Sequence, residues 1–92
     1  LEMDCFVNVS GGIFVREPSV DLAICLSIAS SFLEKPLSYK SIAIGEVGLL
    51  GEIREVINQE KRVKEAKRLG FTIPITNKEV KFVKEAIKKY IE

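Results

Sequence analysis

Gly45-Glu46-Val47-Gly48-Leu49-Leu50-Gly51-Glu52-Ile53-Arg54, GEVGLLGEIR, decides how this chain is read. Apolar Ile42, Ile44 and Val47 lead into it and Ile53 and Val56 lead out, so two short strands are expected, Ser41 to Val47 and Glu52 to Val56. Gly48 and Gly51 flank two leucines between them, which predicts a tight connection with positive φ at the glycines and a hydrophobic tip at Leu49 and Leu50. A Leu-Leu tip of this kind either docks on another subunit or folds back on its own core.

Upstream, Met3, Cys5, Val7 and Val9 alternate with polar Asp4, Asn8 and Ser10, with Phe6 the exception, and Gly11-Gly12 then turns the chain into Ile13-Phe14-Val15. That pattern predicts a β-hairpin. From Ser19 the period becomes helical: Leu22, Ala23, Leu26, Ala29, Ser30 and Leu33 share one face, with Pro18 and Pro36 on either side. Ser19 is the expected N-cap, and Asp21 suits the positive end of the helix dipole. Because this helix is apolar nearly all round, it is expected to be central and buried.

Downstream, Asn58 can cap a helix to Leu69 that turns Val63, Ala66 and Leu69 inward, with Gly70 in the C-terminal cap position. Phe71 to Ile75 reads as a strand. Thr76-Asn77-Lys78-Glu79 has capping-box spacing, and Val80, Val83, Ile87, Tyr90 and Ile91 continue as a basic amphipathic helix. The order β-β-α-β-β-α-β-α places the 92 residues in one domain of α+β or α/β class, built in two layers.

Composition excludes several functions. Hydrophobic residues make up 47% and charged residues 29%, which are globular values. No apolar run reaches the ~20 residues of a membrane span. There is no histidine, and Cys5 and Cys25 stand alone, so a zinc site lacks ligands. Both cysteines are expected to be buried free thiols in a reducing cytoplasm. The chain starts at Leu1, with no signal-peptide pattern after it, and is expected to be a piece of a longer protein.

Net charge is +1, but residues 1–50 carry three basic and six acidic side chains, and residues 51–92 carry eleven and seven. An anionic partner would therefore meet the second half. Lys61, Arg62, Lys64, Lys67 and Arg68 crowd the helix after Asn58, with Glu60 and Glu65 interleaved. Such a face is a candidate for DNA phosphates or an ordinary solvated Lys/Glu surface.

Without histidine, a serine nucleophile would need a lysine of lowered pKa beside it, so a Ser-Lys dyad is the one nucleophile design open to this composition. Ser19 lies 26 positions before Gly45, at the start of its helix.

The stretches Cys5–Gly12, Glu17–Leu37 (EPSVDLAICLSIASSFLEKPL), Ile42–Val56 (IAIGEVGLLGEIREV) and Glu60–Phe71 (EKRVKEAKRLGF) resemble the carboxy-terminal Lon-protease-like domain of the bacterial RadA (Sms) family of DNA repair proteins. The resemblance runs without a gap from Asp4 to about Pro74, and more loosely through the last helix. It implies the fold of the second domain of ribosomal protein S5, shared with the Lon proteolytic domain. In Lon peptidases the nucleophile stands 17 positions before the proline that ends its helix, and Ser19 stands 17 before Pro36. The Lon lysine stands 15 after the first glycine of the segment corresponding to GEVGLLGEIR, which here is Glu60. Lys61 is one residue off, a turn of about 100° on a helix. No catalytic residue and no peptidase activity are therefore expected, with an active Ser-Lys peptidase of the Lon type as the alternative.

For the family, the resemblance implies a cytoplasmic ATP-dependent DNA motor that drives branch migration, assembled as a hexamer. The 92 residues contain no GxxxxGK[ST] phosphate loop and no CxxC pair, so ATP, Mg and zinc belong to parts of the parent outside this chain and no cofactor is expected here. The domain itself is expected to scaffold the oligomer through Leu49 and Leu50 and to touch DNA without sequence preference. Lys61, Lys64, Lys67 and Arg68 are the candidates for that contact, with Arg54 beside them. The family has an extra strand before its last helix; this chain is short for it, with Glu79 to Val83 as the segment that could supply a brief one.

Overall fold

The computed structural model describes residues 6–9 and 13–92, with side chains from residue 17 onward. Met3, Cys5 and the Gly11-Gly12 turn lie outside the described residues. The expected strands on either side of that turn are present as β1 (Phe6–Val9) and β2 (Ile13–Arg16), paired antiparallel with Val7 opposite Val15.

A short 3-10 turn, Pro18–Val20, leads into α1 (Asp21–Leu33). Val20, not Ser19, occupies the N-cap, and no side chain caps the helix. Pro18 starts the turn one residue too early for a serine cap, and the Ser19 hydroxyl is committed elsewhere. The helix is also less enclosed than its composition predicts. Leu22, Cys25 and Leu26 are buried, while Ile28 and Phe32 are exposed, Phe32 by 86%. The buried positions lie in the first half of α1, and the last helix is among its neighbours.

The single strand expected over 41–47 is two. β3 (Ser41–Ala43) and β4 (Glu46–Val47) are separated at Ile44-Gly45. The break has a hydrogen-bond cause. The Gly45 N–H donates to the Ser19 carbonyl (3.1 Å) and the Gly45 carbonyl accepts from the Leu22 N–H (3.0 Å), so the start of α1 takes both groups that a continuous strand would use. A Cβ on Gly45 would stand 2.9 Å from Ile53 Cγ2 and 3.5 Å from Leu22 Cδ2, which is why glycine fits this close approach.

β4 pairs antiparallel with β5 (Ile53–Arg54). Their connection is the expected tight one, and Gly51 has φ +81°. Gly48 does not have positive φ; the Glu52 carboxylate folds over the place a Gly48 Cβ would fill. α2 (Gln59–Arg68) then carries the chain across to β6 (Ile73–Ile75), which lies parallel to β3 with Ile42 opposite Pro74.

Asn58 sits at the N-cap of α2 but caps nothing with its side chain; it adopts the left-handed region (φ 59°), which Asn tolerates. Buried Gln59 closes this end instead, accepting from the Val56 N–H (3.2 Å) and donating to Asn77 Oδ1 (2.6 Å). Gly70 ends the helix with φ +103°, as expected. Ala66 is buried and Val63 half-buried, whereas Leu69 is exposed at the mouth of a groove.

Thr76 to Glu79 forms capping-box hydrogen bonds, with the Thr76 N–H and hydroxyl donating to Glu79 Oε1 (2.8 and 2.7 Å). They close one turn and no helix. The chain then extends so that the Ile53 N–H donates to the Lys81 carbonyl (2.8 Å) and the Val83 N–H to the Gly51 carbonyl (2.9 Å), an isolated antiparallel bridge at Glu52 and Phe82 within the segment that the sequence left open for a brief extra strand. α3 (Val83–Tyr90) follows, and Glu85 Oε1 accepts from the Phe82 N–H (3.0 Å) at its start.

The core joins α1 (Leu22, Cys25, Leu26), β5 (Ile53), β6 (Ile75) and the last segment (Val80, Val83, Ala86, Ile91). Burial of each large member contributes roughly 1.5–3 kcal/mol. The architecture is the mixed helix and strand of the α+β class. Cys25 is buried, as expected, and Cys5 lies outside the described residues. Among the described residues no helix is long and apolar enough to cross a membrane, and no three His, Cys, Asp or Glu side chains are grouped to hold a metal.

Candidate functional site

The crossover from β3 through α2 to β6 leaves a groove of about 540 Å³ beside the start of α1. Its wall is apolar, from Ile42, Ala43 and Ile44 on one side and Ala66, Leu69 and Phe71 on the other, and Ser19, Lys61 and Arg62 stand along it. Ser19 is buried, held there because its carbonyl accepts from Gly45. Its hydroxyl donates to Glu17 Oε1 (2.7 Å) and accepts from Arg62 Nη1 (2.9 Å).

The cation in contact with Ser19 is therefore Arg62, which the sequence reading missed. Arg62 Nε also donates to the Ile57 carbonyl (3.1 Å), and Nη1 lies 4.0 Å from Glu17. Arg62 stands two residues beyond the position that spacing assigned to the Lon lysine, and this sequence has Asn58-Gln59 where Lon has a Gly-Gly pair. The signal was available only as a long basic residue one half-turn along the helix.

Glu60 goes elsewhere. It is 92% exposed, pairs at 3.8 Å with Lys78, and lines a different depression on the β6 side of α2. Lys61, expected to be turned away, lines the same groove as Ser19.

The Ser19 hydroxyl holds the Glu17 carboxyl below its ordinary 4.5, helped by the Ser19 backbone N–H and by Arg62. Arg62 has no lone pair to offer as a base. At neutral pH the triad Glu17–Ser19–Arg62 is thus an anion, a hydroxyl and a cation locked by hydrogen bonds, a corner brace between the entry to α1 and the first turns of α2.

Buried Asp21 adds a second tie, accepting from the Val47 N–H at 3.2 Å and joining α1 to β4.

The remaining basic candidates fall into two groups. Arg68 forks onto Glu65 (Nε 3.0 Å, Nη2 2.5 Å), and Arg54 onto Glu52 (Nε 3.2 Å, Nη2 2.7 Å), so each is neutralised locally. Lys61, Lys64 and Lys67 are exposed and have no carboxylate at ion-pair distance among the described residues. The tip leucines are also exposed, Leu49 by 73% and Leu50 by 86%, so the tip does not fold back on its own core.

No protein-family model matches the chain. Curated relatives do. It is 51% identical over 77 residues, 80% of its length, to the DNA repair protein RadA of Bacillus subtilis. It is 54% identical over 68 residues, 74% of its length, to that of Campylobacter jejuni, and 48% identical over 69 residues, 75% of its length, to that of Streptococcus pyogenes serotype M1. The matched stretch spans only 15–17% of the length of these relatives. At this identity over three-quarters of its residues, the chain belongs, as one segment, to the family of the DNA repair protein RadA.

Proposed function

We propose that the chain is the Lon-like carboxy-terminal domain of a RadA-type DNA repair ATPase, and that it serves the parent as an oligomerisation scaffold and as an auxiliary, sequence-independent DNA contact. The similarity to proteins named for DNA repair supports the setting. The observation that carries the DNA contact is the row Lys61, Lys64 and Lys67 on α2: three exposed ammonium groups with no carboxylate at ion-pair distance among the described residues, the arrangement that releases cations from phosphates on binding. Arg68 and Arg54, already paired, contribute less.

In this reading the domain is not a peptidase. The Ser19 hydroxyl faces a carboxylate of depressed pKa and a guanidinium, neither of which is a useful base. ATP turnover and branch migration belong to the remainder of the parent, and the hexamer is the assembly the scaffold would support.

The test is fluorescence anisotropy with a duplex at several salt concentrations. Lys64→Glu with Lys67→Glu is expected to weaken binding and to flatten the plot of log affinity against log salt by nearly two units, about 0.9 for each lost phosphate contact. Unchanged affinity and slope would remove the DNA assignment. Covalent labelling of Ser19 by a serine-directed reagent, or cleavage of unfolded casein abolished by Ser19→Ala, would restore the Lon-type peptidase in its place.

A further inference from the structure

The groove between β3 and α2 and the lysine row of α2 form one surface. Lys61 lines the groove of about 540 Å³, and Lys64, its i+3 neighbour, and Lys67 continue the row on the exposed side of the helix. The other two charged groups that line the groove are used within the chain, Arg62 by Ser19 and Ile57, and Glu65 by Arg68. What is left beside the groove is positive charge, since Lys61, Lys64 and Lys67 have no carboxylate at ion-pair distance among the described residues.

Aromatic and apolar side chains gather at one end of this surface. β3 and β6 run parallel with Ser41 opposite Ile73, and the Ile73 N–H donates to the Lys40 carbonyl (3.1 Å). Tyr39 precedes Ser41 by the same two residues as Phe71 precedes Ile73, so both rings come to the same end of the sheet, and Phe71 lines the groove there with Leu69. Tyr39 is 85% exposed and Leu69 62%, while Phe71 is half-buried. Lys40 Nζ stands 5.8 Å from the Tyr39 ring centroid and has no carboxylate at ion-pair distance among the described residues.

Phosphates alone would account for the lysines, but not for an open aromatic ring and an apolar wall beside them. In a duplex the base faces are stacked on one another and reach neither; in a single strand they are open. Cations that track the backbone next to rings that stack on bases make a sequence-tolerant single-strand site. The groove volume is in the range that takes a small ring system, roughly 300–1,000 Å³. We propose that this surface takes single-stranded DNA, with phosphates along Lys40, Lys61 and Lys64, one base on the Tyr39 ring and another against Leu69 and Phe71 at the mouth of the groove. The proposal rests on the DNA reading above and names the form of DNA that the domain prefers.

The experiment is fluorescence anisotropy of the chain with two labelled strands. One is an oligothymidylate of roughly ten nucleotides, within the span of a small single-strand site. The other is a strand of the same length built from abasic tetrahydrofuran phosphates, which offers the same charges and no bases. Wild type is expected to bind the oligothymidylate at least about tenfold more tightly than the abasic strand. The double variant Tyr39→Ala, Leu69→Ser should lose that preference and bind the abasic strand as wild type does. Both positions are exposed, so circular dichroism should show the variant folded. Tyr39→Phe keeps the ring and should keep the preference.

Equal affinity of wild type for the two strands would overturn the proposal. So would a double variant that keeps the preference, or a Tyr39→Phe variant that loses it. The Lys64→Glu, Lys67→Glu pair separates this failure from failure of the DNA reading, because it should weaken both strands alike. If it does so while wild type binds the two strands equally, the stacking is removed and the phosphate contact stands. If wild type binds neither strand and no duplex, the DNA reading falls and the single-strand proposal falls with it.

Discussion

Arg62 and Lys64 are two positions apart on α2 and equally basic in sequence, yet they stand in opposite circumstances. Arg62 is spent on the protein, reaching the Ser19 hydroxyl at 2.9 Å and the Ile57 carbonyl at 3.1 Å. Lys64, with Lys61 and Lys67, has no carboxylate at ion-pair distance among the described residues. Charge along a helix does not by itself mark a ligand surface. What marks it is charge left over after internal contacts are satisfied.

The strongest way to break this contrast is at the corner that Arg62 braces. Gly45→Ala should cost about 1–3 kcal/mol, because the added methyl meets Ile53 at 2.9 Å in a buried position and shifts the strand break that receives Ser19. Urea denaturation would measure it. Duplex binding per folded molecule should stay as in wild type, whereas the Lys64→Glu, Lys67→Glu pair should do the opposite, lowering affinity while changing stability by less than about 0.5 kcal/mol.

Gly51→Ala should cost about 1 kcal/mol, from its φ of +81° alone, since a Cβ there meets nothing within 4 Å. A loss above about 3 kcal/mol would mean the tip is packed and not projecting.

Arg62→Ala comes next, at about 0.5–1 kcal/mol, since its ion pair is partly exposed and screened. It should leave the salt slope of duplex binding almost unchanged. A slope reduced as much as by a lysine substitution would erase the distinction between the two residues.

The smallest effect is in acid. Glu17, Glu52 and Glu65 are each held below the ordinary carboxylate value of 4.5, Glu17 by the Ser19 hydroxyl, Glu52 by Arg54 and Glu65 by Arg68. Between the folded and unfolded values the unfolded chain binds more protons, so their stabilisation is complete above about 4.5 and is lost as pH falls through the folded values. Glu17→Gln should make the decline in urea midpoint below pH 4.5 shallower. An unchanged decline would show that the Glu17–Ser19 contact contributes nothing in solution.

Much of this was legible in the residues. The 3.6-residue period over Leu22, Ala23, Leu26, Ala29, Ser30 and Leu33, and Gly70 after α2, are local signals and each element formed close to where they placed it. The GEVGLLGEIR stretch is likewise a hairpin by local turn chemistry, and its likeness to a known repair family rests on identities that need no coordinates.

Other features depend on groups distant in sequence. Ser19 is a plausible cap by its type, but a partner 43 residues away takes its hydroxyl. The strand expected from 41 to 47 is divided because Gly45 gives its backbone groups to α1. Counting along the chain assigned Glu60 to the serine, whereas helix rotation and the Gln59–Asn77 contact direct Glu60 toward Lys78 and bring Arg62 round.

The sequence by itself determined the elements, the family and the basic character of the second half, because period, turn residues and charge are local properties. Tertiary structure alone decided which cations are consumed, where the strand breaks, and that the Leu-Leu tip projects while a groove lies open beside Ser19. Those outcomes depend on which distant groups the packed fold brings within hydrogen-bonding distance, and no spacing rule along one chain contains that information.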